Sequence, residues 1–87
     1  MDKERYEWLI KILASVINAA ERGNEITFHV NSSVSNSTGE RYYYLSVNQF
    51  RKIDNKSRVV WNDSWMVSEN KDIFGDPEEI LKAVNAL

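Results

Sequence analysis

Few residues in this chain could do chemistry, and their types exclude more than they suggest. His29 is the only imidazole. General-base catalysis through it would need a nucleophile and an orienting carboxylate brought close in the fold. The alternation of Ile26, Phe28 and Val30 with Thr27, His29 and Asn31 puts the ring on an outward strand face among neutral polar side chains. It therefore reads as a surface residue. Cysteine is absent, which excludes disulfides, thiolate metal sites and thiol nucleophiles together. Asp72, Asp76, Glu78 and Glu79 lack EF-hand spacing, and carboxylates at a helix start already complement the helix dipole. Gly23, Gly39 and Gly75 are too widely separated to form a phosphate loop. Asn31, Asn36, Asn55 and Asn62 each open an Asn-x-Ser/Thr triplet, which reads as a compositional coincidence in a chain expected to be intracellular. No catalytic set can be assembled. The expectation is a protein without enzymatic activity, metal or cofactor.

What remains is suited to recognition. Tyr42-Tyr43-Tyr44 places at least one ring in the core by alternation. The others, with Trp61 or Trp65 on a neighbouring strand, would form an exposed aromatic platform. The plainer reading is cross-strand aromatic pairing that only stabilises the sheet. Charge is uneven as well. Glu40 to Arg58 holds five basic residues (Arg41, Arg51, Lys52, Lys56, Arg58) against Glu40 and Asp54. Asp63 to Glu79 holds six acids (Asp63, Glu69, Asp72, Asp76, Glu78, Glu79) against Lys71. A solvated loop followed by a capped helix would explain that acidic stretch, and so would an acidic edge that meets a basic partner.

The elements that must position these groups are legible in outline. Tyr6, Leu9, Ile10, Leu13, Val16, Ile17 and Ala20 recur at three- and four-residue steps and predict an amphipathic helix over about 4–22. Glu7, Lys11, Ser15, Asn18 and Glu21 fall on its opposite face, and Gly23-Asn24 ends it. Strands are predicted at 25–33 and 41–51, joined by a polar loop over 34–39. In the second strand Tyr43, Leu45 and Val47 face inward, and Tyr42, Tyr44, Ser46 and Asn48 outward. After a turn at Asp54-Asn55-Lys56 a third strand starts at Arg58. Asn62-Asp63-Ser64 lies either within one long strand ending near Ser68, the favoured reading, or at the tip of another hairpin. Asp76-Pro77-Glu78-Glu79 gives a capped start to a final helix with Ile80, Leu81, Val84 and Leu87 on its apolar stripe.

The expected fold is α+β, one domain over residues 1–87. It is a two-layer sandwich of order α-β-β-β-α, with both helices on one face of a three-stranded antiparallel sheet. Its expected core is Leu9, Leu13, Ile17, Phe28, Leu45, Val47, Ile80, Leu81 and Val84. Composition agrees with a globular chain, at 43% hydrophobic and 28% charged residues. A net charge of −2 argues against a general phosphate-binding surface, so nucleic acid is not the expected partner. No apolar run approaches the ~20 residues of a membrane helix. Met1-Asp2-Lys3-Glu4-Arg5 lacks an apolar signal segment, so an intracellular, membrane-free protein is expected.

Two family resemblances follow. The element order is similar to that of the double-stranded-RNA-binding domain. That family, however, clamps phosphates with a Lys-rich start to its last helix and with a loop between its first two strands. Here those places hold Asp76-Pro77-Glu78-Glu79 and the base-free Ser35-Asn36-Ser37-Thr38-Gly39. In size, charge sign, element order and lack of catalytic groups the chain also resembles small phage-encoded anti-defence proteins, including the Cas9-inhibiting anti-CRISPRs. This resemblance implies an inhibitor in the cytoplasm of a bacterial host, occupying a basic surface of a partner such as a Cas nuclease. The residues expected to meet that partner are Tyr42, Tyr44, Asp63, Glu69 and Asp72. A nucleic-acid-binding domain using Tyr42 and Tyr44 with Arg41, Arg51, Lys52 and Arg58 is the alternative, as is a self-associating structural subunit.

Overall fold

A computed structural model describes residues 1–69 and 71–87. The elements run α1 (Lys3–Glu21), β1 (Glu25–Val34), β2 (Arg41–Ile53), β3 (Lys56–Ser68), β4 (Lys71–Phe74) and α2 (Pro77–Asn85). The fold is α+β, and its sheet is antiparallel throughout in the order β1-β2-β3-β4. No helix among the described residues is long and apolar enough to cross a membrane.

The β2–β3 hairpin sets the dimensions. Each strand is 13 residues long, which at about 3.3 Å per residue spans roughly 43 Å. The molecule measures 46 × 24 × 16 Å, so this ribbon is its long axis. The turn is made by Asp54 and Asn55, at φ 55° and 64°. Two consecutive residues with positive φ match the right-handed twist of a hairpin, and Asp and Asn tolerate that conformation better than most side chains. Asn62-Asp63-Ser64 runs within β3, as the single-strand reading expects.

The sheet has four strands rather than the expected three. Lys71-Asp72-Ile73-Phe74 pairs with the end of β3 through Ser68↔Lys71, Val67↔Asp72 and Met66↔Phe74. Ile73 is passed over by a shift in register, which removes the two-residue alternation by which so short a strand would be recognised. The exit from β4 depends on Gly75, at φ 86°. A Cβ there would run into the Ser64 carbonyl and lie 2.8 Å from the Trp65 Cα, so only glycine fits.

Leu45, Val47, Trp65 and Val67 are buried in one alternation phase and form a single cluster with Ile12, Val16 and Ala19 of α1 and Ile80 and Val84 of α2. Leu9, Phe28 and Leu81 pack against it half-buried. Leu13 and Ile17, expected in the core, are exposed, and Ser15, expected outside, is buried. The helix is thus rotated from its expected orientation. α1 is apolar around more than half its circumference, so two stripes compete, Leu9-Ile12-Val16-Ala19 and Tyr6-Ile10-Leu13-Ile17. Burial of Ile12, Val16 and Ala19 sets the rotation, and Arg5, on the same side, bonds Asp72 of β4 at 3.1 Å in agreement with it. The ends are capped as the residue types dictate. Asp2 accepts from the Arg5 amide at 3.0 Å, and Asp76 from the Glu78 amide at 3.0 Å ahead of Pro77.

The two stripes have different energetic weight. Ile12→Ala should destabilise by about 2–5 kcal/mol, because it opens a cavity in a closed core. Leu13→Ala should cost less than about 1 kcal/mol at micromolar protein concentration. Urea unfolding of both variants checks the rotation of α1.

Candidate functional site

Tyr42 and Tyr44 lie in the phase opposite to Leu45 and Val47, as alternation requires. Cross-strand pairing places Tyr44 in a row that crosses all four strands, Asn31↔Tyr44, Tyr44↔Met66 and Met66↔Phe74. The Tyr44 and Phe74 rings meet edge-to-face with centroids 6.1 Å apart. The adjoining row is Ser33, Tyr42, Ser68 and Lys71. Below lie His29 with Ser46 and Ser64, then Thr27 with Asn48 and Asn62. One end of this face is therefore aromatic and Met-rich, and the rest is small and polar. Phe74 is 45% exposed, while Tyr42, Tyr44 and Met66 are half-buried. No cavity opens among the described residues.

Trp61 and Trp65 do not join this platform. Both belong to the core phase: Trp65 is buried and Trp61 packs against the cluster. Met66 and Phe74 take their places. The sequence contained one usable signal for this, because a buried Trp65 forces Met66 to the other face. Phe74 required β4.

The expected acids are dispersed rather than gathered beside the rings. Asp63, half-buried, alternates in phase with Trp61 and Trp65 on the core side, and its carboxylate accepts from the Ser64 amide at 2.8 Å. Asp72 accepts from the Trp65 indole Nε1 at 2.8 Å and from Arg5 Nε at 3.1 Å. Asp72 thus holds the fold together. Its hydrogen bond to Arg5, with its charge as a smaller contribution, keeps the guanidinium, already a strong base, more firmly protonated than usual. Glu69 is exposed directly after Ser68, at φ 53°. Of the three expected acids it alone stands near Tyr42. Glu40 joins it there, accepting from the Tyr42 hydroxyl at 2.9 Å.

His29 is exposed and lies across from Ser46, with no hydrogen bond to a carboxylate among the described residues. No acid or His cluster able to hold a metal ion occurs among them either. Glu78 and Glu79 face Lys82 at 3.8 and 3.9 Å, long and exposed ion pairs at the start of α2.

The basic residues divide differently. Arg41 donates to Ser32 Oγ at 2.8 Å. Arg51, Lys52, Lys56 and Arg58 lie on the end of the β2–β3 ribbon beyond β1, all exposed and without an ion pair among the described residues. Arg51 and Arg58 are direct cross-strand partners. Like charges in that relation repel, so the pair costs the hairpin stability.

The Tyr42 bond lowers the Glu40 carboxyl below its ordinary 4.5, with smaller help from the Ser68 hydroxyl and the Lys71 charge. Ser68 Oγ is buried without a partner at full hydrogen-bond geometry, so Tyr42 is the dominant restraint. The same bond raises the Tyr42 phenol above its ordinary 10.0. The depressed carboxyl stabilises the fold above pH 4.5, an effect lost as pH falls through its folded-state value. The raised phenol stabilises it below pH 10.0, an effect lost as pH rises through its folded-state value. In Tyr42→Phe the Glu40 carboxyl midpoint, followed by NMR, should climb toward 4.5. An unchanged midpoint would mean that Ser68 and Lys71 alone hold it.

Compared with protein-family models, curated proteins and solved structures, the chain matches none of them.

Proposed function

We propose that the chain is a non-enzymatic protein-binding module, with both helices covering the core face of the sheet and the opposite face docking a partner. The observation that supports this most is the row Asn31–Tyr44–Met66–Phe74, an aromatic and Met-containing strip across four strands on the face opposite Leu45, Val47 and Trp65. Rigid rings with few rotatable bonds, flanked by an adaptable methionine, bury area at low entropic cost. Glu40 and Glu69 at the Tyr42 end supply negative charge that would steer a basic surface and set register. The partner is a bacterial defence nuclease, and the chain is a phage or mobile-element inhibitor acting in the host cytoplasm. It occludes a basic nucleic-acid-binding surface in the manner of an anti-CRISPR.

The test is a cleavage assay with guide-RNA-loaded Cas9-type nucleases, titrated with the chain. Inhibition is expected, and Tyr44→Ala and Phe74→Ala should each weaken it by about tenfold or more, the loss typical of interface anchors. Glu69→Lys should chiefly slow association and reduce its salt dependence. If no nuclease is inhibited, or if both ring truncations leave inhibition within a factor of two, the reading fails.

One observation favours a second reading. The exposed Arg51, Lys52, Lys56 and Arg58 on a protruding two-stranded ribbon have the form of an element that enters a nucleic-acid groove. Binding through all four would give a log–log salt slope of about −3.6 on duplex DNA. Mobility shifts at two salt concentrations, with Arg51→Glu and Arg58→Glu, distinguish it from the first.

A further inference from the structure

β1 and β4 are the two edges of the sheet, and only one of them is protected. β4 has four residues, carries Lys71 and Asp72, and pairs through an irregular register, three features that make a poor template for a further strand. β1 has ten residues and pairs with β2 without a break in register from Glu25 to Val34. It contains no Lys, Arg or Pro, and its one acid is Glu25 at the start. No strand lies on its other side among the described residues, so alternate N–H and C=O groups along that side are open to a partner. The chemistry that fits such an edge is the backbone of another extended strand.

The side chains select which strand. From Ile26 to Val34 there is no acid, Lys or Arg. Ile26, Phe28, Val30, Ser32 and Val34 share the core phase of Leu45 and Val47, and Thr27, His29, Asn31 and Ser33 the opposite phase. Val30 and Val34 are 44% and 47% exposed although they hold the core phase. Glu25 stands outside this window, and its carboxylate accepts from the Ser57 hydroxyl of β3 at 3.3 Å. Consider a second copy whose β1 runs antiparallel to the first, about a two-fold axis normal to the sheet and between the two Val30 residues. Val30 then meets Val30, Val34 meets Ile26 and Ser32 meets Phe28, while on the opposite face Asn31 meets His29 and Ser33 meets Thr27. Apart from the central pair, the symmetry makes each contact twice. Every residue of the uncharged window is paired, both exposed valines gain apolar neighbours, and Glu25 lies beyond the last pair. Parallel pairing, about an axis along the strand, would instead set the core phase of one copy beside the polar phase of the other. The second copy also brings a strand already ordered by β2, so pairing avoids the ordering cost that a flexible peptide would pay.

We infer that the outer edge of β1 is the isologous interface of a homodimer, in which β1 pairs antiparallel with β1 of a second copy around Val30 and joins the two sheets into one. A single added strand pair buries less than the ~800 Å² per partner of a standard interface, so the dimer is weak, with a Kd of about 10–100 µM. The inference concerns an edge rather than a face, and holds whether or not the Tyr44 row docks a partner.

Sedimentation of the full chain over about 5–500 µM, a range bracketing that Kd, should show a concentration-dependent rise from the 10.1 kDa monomer toward twice that mass. At the top of the range, amide hydrogen exchange of alternate residues between Ile26 and Val34 should slow by about threefold or more, with no such change in β4. Val30→Lys sets two ammonium groups face to face on the two-fold axis and should abolish the rise. It replaces an exposed side chain, so the far-UV circular dichroism and urea midpoint of the dilute protein should be unchanged. Cysteine is absent from the chain, so single-Cys variants report the register. On oxidation with diamide, Val30→Cys should cross-link to its copy, because directly opposed residues lie within disulfide reach. Residue 34 lies opposite Ile26 and roughly 26 Å from its own copy, so Val34→Cys should cross-link at least about tenfold more slowly. These small replacements remain informative even if Val30→Lys lowers stability. A wild type that stays monomeric throughout overturns the proposal, as does a dimer indifferent to Val30→Lys or one that forms without protecting β1. Equal cross-linking of the two Cys variants overturns the pairing around Val30.

Discussion

The hydrogen bond from the Trp65 indole to Asp72 is where the sheet, its short edge strand and the first helix are joined. Trp65 is among the largest fully buried side chains, so its N–H has left water and must find an acceptor within the protein. Asp72 supplies it at 2.8 Å from β4 and, with the same oxygen, holds Arg5 of α1. Arg5 in turn bonds Asp2, the residue that caps α1. Loss of the carboxylate would leave a buried donor unpaired, at about 1–3 kcal/mol, and release the rotation of the helix. Four residues of edge strand are enough because one of them makes this contact.

That chain of contacts also decides which surfaces are left over. With Trp65 drawn inward, Met66 faces out, and β4 brings Phe74 alongside it to meet Tyr44. With Arg5 drawn toward Asp72, α1 presents Ile12, Val16 and Ala19 to the core and leaves Tyr6, Ile10, Leu13 and Ile17 in water. The apolar strip on the sheet and the apolar stripe on α1 are therefore both the reverse sides of what turns toward the core. The ends of the molecule differ in character. The tip of the β2–β3 ribbon is exposed and basic, and beyond strand pairing and its turn it is tied to β1 by the Ser57 hydroxyl donating to Glu25 at 3.3 Å. The aromatic end of the sheet has all four strands behind it.

Much of this was determined by the sequence alone. Helix and strand periods, the Asp76-Pro77 start of α2, the Asp54-Asn55 turn, the outward phase of Tyr42 and Tyr44 and the exposure of His29 all depend on neighbours within a few residues. Local sterics and hydrogen bonding act at that range. Leu45, Val47, Ile80 and Val84 were legible as core for the same reason. Tertiary structure alone decided the rotation of α1, the inward turn of both tryptophans, the existence of β4, and the conversion of Asp72 from a candidate recognition residue into a structural acceptor. Periodicity states which residues share a face, but not which face is covered. Covering is settled by contacts between distant parts of the chain, here Ile12, Val16 and Ala19 with the sheet and α2 and Arg5 with Asp72, 67 residues away, and no local pattern encodes such partners.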